Sequence, residues 1–424
     1  MLGGNDLDSI RSKSVDSGDL DSEDWESLDE QMFKDKLFST RMFHCAHKII
    51  WLNPDEGDHI LMEDDCDNIR MFNLITSGNV TQWTFDNICF VFHHKTAIDS
   101  EYVIFWWMEI LTGIKSVVYD CCPNSCITYT QRYQHLQACP LCHQPCFKPN
   151  GQLQHQFTYF PLIPHLKGFF QSEEMVNKML YCSEFQCNEA QISDVFSSTH
   201  YQYLLWHCVV VDGKKLGHWH FSNPCNIALS LCTDSYLLYH QYQKGPCATP
   251  IVLQNYNLPP CCCTHITNLL CVGIIPGPHQ PKDIAFFLSP LDDKLAELAH
   301  GVATLDATTK NMFQLHTYLL FKLGDIITVE KFLKIKGHNS IYPCQSCNIQ
   351  AIQGDGQPYY VPLCPPENSH NAAKERVECD LENLPLHRHN DFIDSATRIA
   401  TVTSKAAKEH IAKETGIKGL PGIR

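Results

Sequence analysis

The order of apolar segments in the second half of the chain constrains its fold more than any other sequence feature. Short apolar runs that end in turn residues, a pattern typical of strands, lie at 209–213, 226–234, 249–260 and 266–278. Residues 283–301 then carry apolar side chains at helical spacing and end at Gly301. Residues 318–325 predict another strand, and residues 327–337 predict a helix that a glycine ends. Three successive strands, a helix, a strand and a helix are the simplest interpretation, which predicts an α/β domain with a mixed sheet and flanking helices.

The charge of the chain is unfavourable for a nucleic-acid partner. Its 424 residues carry a formal net charge of −15, which repels a phosphate backbone unless basic groups are concentrated locally. Residues 1–40 contain eleven acidic and four basic side chains without a sustained apolar period, so we predict a disordered acidic tail there. The tail holds −7 of the total charge, and the rest of the chain is still acidic.

The N-terminal region and the apolar segments indicate a soluble protein of a reducing, intracellular compartment. Residues 1–30 lack the basic and apolar regions of a signal peptide. The longest apolar stretch, residues 102–114, is too short to span a bilayer and contains Glu109. In such a chain we expect the 23 cysteines to be metal ligands or buried thiols in preference to disulfides.

The remaining patterns divide the chain into regions of different character. Residues 41–115 form a predicted small helical region, in which Ile104, Phe105, Met108 and Ile110 fit a buried helix. The other predicted regions are a Cys-rich, zinc-ribbon-like region at 116–150, a connector at 151–205, the α/β core at 206–352 and a C-terminal segment at 353–424.

Two close pairs of cysteines in the Cys-rich region have the spacing of a zinc site. The predicted ligands are Cys122, Cys126, Cys139 and Cys142. Two such turns can meet around one tetrahedral ion, and a closed site of four thiolates stabilises a fold without catalysing a reaction. Cys121 and Cys146 are reserve ligands, and unligated thiols in a loop are the alternative.

Two aspartates follow strands that we expect to be neighbours. In a sheet with this element order, the first strand lies beside the fourth, so Asp234 and Asp325 would end neighbouring strands. Such carboxylates can share Mg²⁺ or Mn²⁺, which prefer hard oxygen ligands and support phosphodiester chemistry. The alternative is that each aspartate is a helix cap or a turn residue.

A single CxxC pair, Cys344 and Cys347, follows the last predicted helix of the core. One pair supplies half of a zinc site, so its partners must come from elsewhere in the chain. The candidates are His387, His389, His338 and Cys364. A structural thiol pair without metal is the alternative. The motifs of dinucleotide-binding sites, P-loops, serine hydrolases and zinc proteases are absent from the sequence.

Several ordered blocks of the sequence resemble one family, the transposases of CACTA (En/Spm-like) DNA transposons, especially copies in mushroom-forming fungi. The blocks are YDCCPNSCITYT, ACPLCHQP, VVVDGKKLGHWHFSNPCNIALSLCTDSY, NYNLPP, GIIPGPHQPKD, LGDIITVEKFLKIKGHNSIYPCQSCNI and YYVPL. The resemblance runs from about residue 50 to the last residue, and several blocks in one order are more specific than any single motif.

The resemblance implies a DDE-type transposase with an RNase H-like catalytic domain that uses Mg²⁺ or Mn²⁺ to nick and join DNA. Its first acid corresponds to Asp234 and its second to Asp325, with Cys344 and Cys347 after the second acid. Asp306 is the fallback for the second acid, although its segment has the pattern of an inserted hairpin. The resemblance also implies DNA partners, namely transposon ends and target DNA, a structural Zn²⁺ and a nuclear location, and it leaves a homo-oligomer open.

The sequence departs from the family pattern in ways that bear on activity. Ser235 stands where the family has glycine, and Ile327 where it has proline. The family pattern continues past residue 424 into a helical region with the third acid, so we expect a truncated, incomplete RNase H-like domain and no transposition by this polypeptide alone. The rival hypotheses are a non-catalytic zinc-binding module that contacts DNA or protein, and a degenerate product without function.

Overall fold

The structure of the protein is a computed structural model, which describes residues 63–78, 80–95, 98–130, 133–152, 154–188, 191–237, 247–338, 340–353, 359–360 and 382–421. The acidic tail that we predict at 1–40 and the candidate ligand Cys364 lie outside these residues. The helices are α1 Glu63–Gly78, α2 Gln82–Phe92, α3 Glu101–Thr112, α4 Leu162–Phe169, α5 Glu173–Met179, α6 Tyr181–Glu184, α7 Thr199–Leu204, α8 Pro260–Cys263, α9 Ala285–His300, α10 Ile326–Leu333, α11 His389–Thr401 and α12 Lys405–Thr415. The strands are β1 Val117–Cys121, β2 His155–Tyr159, β3 Cys208–Val211, β4 Lys214–Trp219, β5 Ile227–Thr233, β6 Tyr236–Leu237, β7 Cys247–Asn255, β8 Leu270–Pro276, β9 Val302–Leu305, β10 Met312–Leu315, β11 Thr317–Leu323, β12 Ile352–Gln353 and β13 Tyr359–Tyr360.

A mixed seven-stranded sheet forms the centre of the fold. Its strands follow the order β1-β2-β8-β7-β5-β11, and β6 pairs with β7 beside this path. β5 and β11 pair in parallel, whereas the other neighbours in the sheet are antiparallel. All seven residues of β8 and six of the seven residues of β5 are buried, so both faces of these strands are covered. This burial explains why both sequences are continuous apolar runs without alternation.

Helix α9 covers the sheet through the apolar stripe that its spacing predicts. Phe287, Leu291 and Leu298 are buried in the main core, and the Phe287 ring meets the Phe157 ring of β2 edge-on with centroids 5.4 Å apart. The helix contacts β11 and α4. It ends at Gly301 with φ 103°, which supports the prediction of a glycine at its end.

The N-terminal helices form a separate small core. Residues of α1, α2 and α3 pack together, and Ile104 and Met108 of α3 are buried among them. Ser100 begins α3 by accepting a hydrogen bond from the Val103 amide, and Gly113 ends it in the left-handed conformation at φ 65°. The apolar spacing in this segment therefore corresponds to a helix, as we predict.

Long-range pairing changes three details of the predicted organisation. Strands β1 and β2 join the central sheet, although they come from the segments that we assign to the Cys-rich region and the connector. The run at 209–213 forms β3, which pairs with β4 in a hairpin outside that sheet. Helix α10 ends at Leu333 and not at Gly337, because the backbone of Lys334 and Lys336 bonds to residues 416–418 instead of continuing the helix.

The C-terminal segment packs against the residues that follow α10. Ile335 forms a small apolar cluster with residues of α11 and α12, including Ile399 and Ile411. Strands β9 and β10 form a hairpin before β11, at the position where we expect an inserted hairpin. Among the described residues, no helix is both long enough and apolar enough to cross a membrane.

Buried His165 makes the stability of the fold sensitive to acid. His165 lies in α4, and neither ring nitrogen has a hydrogen-bond partner within the described part of the chain. Burial lowers the pKa of His165 from 6.5 to about 4. The unfolded chain therefore binds a proton on this ring at a higher pH than the folded chain does. Stability from neutral His165 is complete above pH 6.5 and is lost as the pH falls from 6.5 to 4.

We predict that His165→Leu removes most of this acid-dependent loss, which amounts to about 2 kcal/mol between neutral pH and pH 4.5 if only this ring titrates. The measurement is urea unfolding at pH 7 and at pH 4.5 for both proteins. Exposed His300 is the control position, since His300→Leu should leave the difference between the two pH values unchanged. An equal loss on acidification in wild type and His165→Leu would contradict the prediction.

Candidate metal centre and acidic sheet edge

Four cysteine sulfurs converge between β1 and β2. The Sγ atoms of Cys122, Cys126, Cys139 and Cys142 lie within 4.8 Å of one another, and Cys122 Sγ is 3.4 Å from Cys142 Sγ. Zinc with Zn–S bonds of about 2.3 Å holds its sulfur ligands about 3.8 Å apart in a tetrahedron. The chemistry and spacing of these donors fit such an ion, so the cluster could hold a structural metal such as zinc. We call residues 121–147, which carry the four cysteines, the cysteine module.

Both halves of the cluster are turns with matching backbone hydrogen bonds. In each turn the amide of the first cysteine donates to the carbonyl five residues later, from Cys122 to Ile127 at 2.9 Å and from Cys139 to Gln144 at 2.8 Å. The sulfur of that first cysteine accepts a bond from the amide two residues on, at 3.4 Å in both turns. The local sequence thus holds the sulfurs in place and offers them amide donors, which favours thiolates.

The environment of the cluster sets the protonation of its thiols. Burial raises the pKa of Cys126 to about 11 and also raises the pKa of Cys122. Burial acts in the same direction on Cys142, but hydrogen bonds from the backbone at Gln144 and from neighbouring side chains outweigh it and lower the pKa of Cys142 to about 7. Metal binding must deprotonate the buried thiols and therefore releases protons.

The structure separates the two reserve cysteines from the cluster. Cys121 is fully buried in the main core, where burial raises its pKa, and Cys146 is buried inside the cysteine module. Neither belongs to the group of converging ligand atoms. The side-chain amide of Asn124 donates to Cys142 Sγ at 3.6 Å. The sequence patterns did not identify this contact. The position of Asn124 between two ligand cysteines was the one signal for it.

The two predicted acids lie at the same edge of the central sheet. The parallel register of β5 and β11 pairs Cys232 with Leu323. Asp234 and Asp325 each lie two residues beyond this pair, at the carboxyl ends of adjacent strands. Neighbouring strands are about 4.8 Å apart. The register therefore places the two aspartates at the same edge of the sheet.

Each carboxylate also has a local structural role. Asp325 begins α10, and its Oδ1 accepts a hydrogen bond from the Thr328 amide at 2.7 Å. Bonds from the Thr328 backbone and side chain lower the pKa of Asp325. Asp234 Oδ1 accepts from the Ser235 amide at 2.7 Å. Asp325 is thus a helix cap and Asp234 a turn residue, as the alternative states. Both of these hydrogen bonds use Oδ1, one of the two oxygens of each carboxylate.

One lysine lies close to both acids. Burial lowers the pKa of Lys331, while the charges of Asp325 and Asp234 act to raise it. A single ammonium group that interacts with both carboxylates places them in the same electrostatic environment. The sequence patterns did not identify this neighbour, although its position six residues after Asp325 in a predicted helix was a signal.

The structure does not bring Asp306 to this edge. Asp306 lies in the turn between β9 and β10, where its Oδ1 accepts from the Thr308 amide at 2.8 Å and its Oδ2 from Thr309 Oγ1 at 2.9 Å. Its charge raises the pKa of Cys225, which precedes β5, although burial of that thiol contributes more. Asp306 is therefore near the opposite end of β5 from Asp234.

The CxxC pair is only partly assembled. The residues around Cys347 pair with those around Leu386, and the His387 ring donates from Nε2 to the Cys344 carbonyl at 3.2 Å. His338 instead contacts Glu330, with Nδ1 and Oε1 2.7 Å apart. Within the described chain, no third ligand atom converges with the two sulfurs as the atoms of the four-cysteine cluster do.

The lysines that follow Asp325 are paired within the chain. Lys331 Nζ donates to Gln280 Oε1, and Lys334 forms an ion pair with Asp283 at 2.6 Å. Lys336 forms an ion pair with Glu409 of α12. These three lysines are local basic positions of the kind that a DNA contact requires, but their charge is largely committed to internal partners.

Part of the chain matches a known protein family. Residues 210–355 match the family model of transposase family tnp2. The matched segment contains Asp234, Asp325 and the CxxC pair, whereas the four-cysteine cluster lies outside it. No curated protein matches the chain. The family match supports a transposase-like function and, with it, DNA binding.

We predict that Cys139→Ala reduces bound zinc by one equivalent per chain, because three thiolates leave an ion without its fourth ligand. Cys146→Ala is the matched control, since Cys146 is buried in the same module but is not part of the cluster. Elemental analysis of protein purified with zinc measures both. Equal zinc content in the two variants would show that the cluster is not the zinc site.

Proposed function

We propose that this chain is a transposase-like protein of the CACTA (En/Spm-like) type, of the kind found in fungi, with an RNase H-like core that processes DNA. One observation carries the proposal: β5 and β11 pair in parallel, so the strands that precede Asp234 and Asp325 end at the same edge of the sheet, within the segment that matches the transposase family. The strand order fits an RNase H-like core, since β5, the first strand of the core, lies between the second strand, β7, and the fourth, β11. Independent features of fold and sequence thus support the same two acids.

The residues at the edge fit a divalent ion. Asp234 and Asp325 offer carboxylate oxygens, the hard donors that Mg²⁺ and Mn²⁺ prefer. Hydrogen bonds from Thr328 lower the pKa of Asp325, so this ligand is ionised at neutral pH. A divalent ion bound there would supply stabilisation of negative charge on phosphate oxygens. Asp234 and Asp325 would hold it, and the α10 cap would fix the orientation of Asp325.

Two carboxylates are two of the three acids in the family that the sequence resembles. The resemblance places the third acid in a helical region beyond residue 424. We therefore propose metal-dependent DNA nicking and strand transfer for the three-acid protein. For Asp234 and Asp325 we propose the metal-binding edge of that protein. The proposed location is the nucleus, where transposon ends and target DNA are found.

The alternative function is a non-catalytic zinc-binding module that contacts DNA or protein. One observation favours it. Within the described chain, the four cysteines form a converging group of three or more potential metal ligands. At the acidic edge, the described residues show no such group of three or more ligands. The cysteine module would then retain its metal and its partner, while the edge would have no role in catalysis.

We predict that the chain binds Mn²⁺ and that Asp234→Asn and Asp325→Asn each weaken this binding about tenfold or more, which is about 1.4 kcal/mol. Asparagine suits the start of a helix, so Asp325→Asn removes the charge while α10 keeps its cap. Titration calorimetry or electron paramagnetic resonance measures Mn²⁺ affinity. Nicking of plasmid DNA with Mg²⁺ or Mn²⁺ provides a second readout on the same proteins.

Asp212→Asn is the matched control. Asp212 lies at the turn of the β3–β4 hairpin with φ 48°, a conformation that asparagine also accepts. This variant should bind Mn²⁺ as the wild type does. If Asp234→Asn and Asp325→Asn also match the wild type in Mn²⁺ affinity and in nicking, the acidic-edge proposal is wrong. Retention of one zinc in a protein without Mn²⁺ binding or nicking favours the non-catalytic alternative.

A further inference from the structure

Ser125 connects the cysteine module to the loop that leaves β8. The side chain is fully buried, and its hydroxyl donates to the carbonyls of Pro276 and Gly277, the latter at 3.2 Å. His155 at the start of β2 donates from Nε2 to the same Gly277 carbonyl at 2.7 Å. We call residues 277–284, between β8 and α9, the exit loop. Its first residues are therefore held by a side chain from inside the first cysteine turn.

The backbone of Ser125 gives a reason to assign a role to its hydroxyl. Ser125 adopts a left-handed conformation at φ 50°, in which a residue with a Cβ is less stable than glycine by roughly 1–2 kcal/mol. His143, which follows Cys142 in the second turn, is also left-handed at φ 62°, but its side chain is exposed. Glycine would suit both turns better. At position 125, however, glycine would lose the bonds to Pro276 and Gly277.

A second bond fixes the other end of the exit loop. Pro290 lies inside α9 and has no amide hydrogen, so it cannot donate to the carbonyl of Phe286, four residues earlier. Thr128 of the cysteine module donates to that carbonyl from Oγ1 at 3.0 Å. The Tyr133 ring also meets the Phe286 ring edge-on, with centroids 5.3 Å apart. The module thus holds both the beginning of the exit loop and the first turn of α9.

The exit loop in turn contacts the helix that carries Asp325. Gln280 accepts a bond from Lys331, and Asp283 forms an ion pair with Lys334 at 2.6 Å. Both lysines belong to the last turn and end of α10, whose first turn Asp325 caps. Strand β8 is antiparallel to β7, and β7 to β5, so the end of β8 is on the same sheet edge as Asp234. The exit loop lies between the two candidate sites.

We propose that Ser125 is a positioning residue that couples metal binding in the cysteine module to the geometry of the acidic edge, through the exit loop and α10. The coupling lies within one chain and requires no ligand other than the metal ions. Its effect on a second metal rests on the proposed function of Asp234 and Asp325. Because coupling free energies are reciprocal, a divalent ion at the edge would also strengthen zinc binding to the cysteines.

The decisive variant is Ser125→Gly, which relaxes the left-handed turn but removes the hydroxyl. If the hydroxyl bonds do not hold the exit loop, the variant is as stable as the wild type or more so, and the loop is unchanged. Coupling predicts that zinc stays bound while amide hydrogen exchange rises at least about fivefold in residues 277–288 and in the first turn of α10. His143→Gly makes the same backbone change in the second turn and should leave exchange in both segments unchanged.

Two further measurements on the full chain complete the test. Removal of zinc from the wild type with a chelator should raise exchange in the same two segments, while the amides of β5 serve as an internal reference. Mn²⁺ affinity should fall about fivefold or more in Ser125→Gly and stay unchanged in His143→Gly. The Asp234→Asn variant shows separately whether the Mn²⁺ signal arises at the acidic edge.

The results separate this coupling from the proposed function. If Ser125→Gly and zinc removal both leave exchange in residues 277–288 and α10 at the wild-type level, the coupling is refuted, whatever Mn²⁺ does. If exchange rises in both experiments while Mn²⁺ binding does not depend on Asp234, the mechanical link is supported and the proposed metal role of the edge fails. Increased exchange together with weaker, Asp234-dependent Mn²⁺ binding supports both.

Discussion

Parallel pairing of β5 with β11 is the constraint on which the rest of the structure depends. Parallel neighbours point their carboxyl ends to the same edge, whereas an antiparallel pair would put Asp234 and Asp325 at opposite ends of the sheet. A parallel pair also requires a crossover, and here the crossover contains β7, β8 and α9. The same arrangement that brings two acids together therefore places the exit loop beside them.

The cysteine module is an insertion between two adjacent strands of the sheet. β1 and β2 pair along five residues, and the module closes the chain between them. Its contacts reach the exit loop through Ser125 and α9 through Thr128. A metal that rigidifies four cysteines would thus restrain part of the central fold as well. This arrangement gives a non-catalytic metal a structural influence on the edge.

Local sequence patterns predicted elements that depend on periodicity and chain order. The spacing of Ile104 and Met108 predicted a buried helix, the cysteine spacing predicted the cluster, and the order of strands predicted that the strands before Asp234 and Asp325 are neighbours. Pairing over long distances was not predictable in this way. Nothing in the apolar run at 209–213 distinguishes a separate hairpin from a sheet strand, since the outcome depends on which edge is already occupied.

Side-chain partners were less predictable still, because Lys331, Lys334 and Lys336 form a basic group in the sequence, yet their partners come from the exit loop and from α12.

Lys331 interacts both with the two carboxylates of the acidic edge and with the exit loop. Burial lowers the pKa of its ammonium group, and the charges of Asp325 and Asp234 oppose that effect. The same ammonium group donates to Gln280 of the exit loop. The group that interacts with both carboxylates is thus also a group that contacts the loop. Lys331 is therefore common to the acidic edge and to the exit loop, the segment through which the proposed coupling to the cysteine module runs.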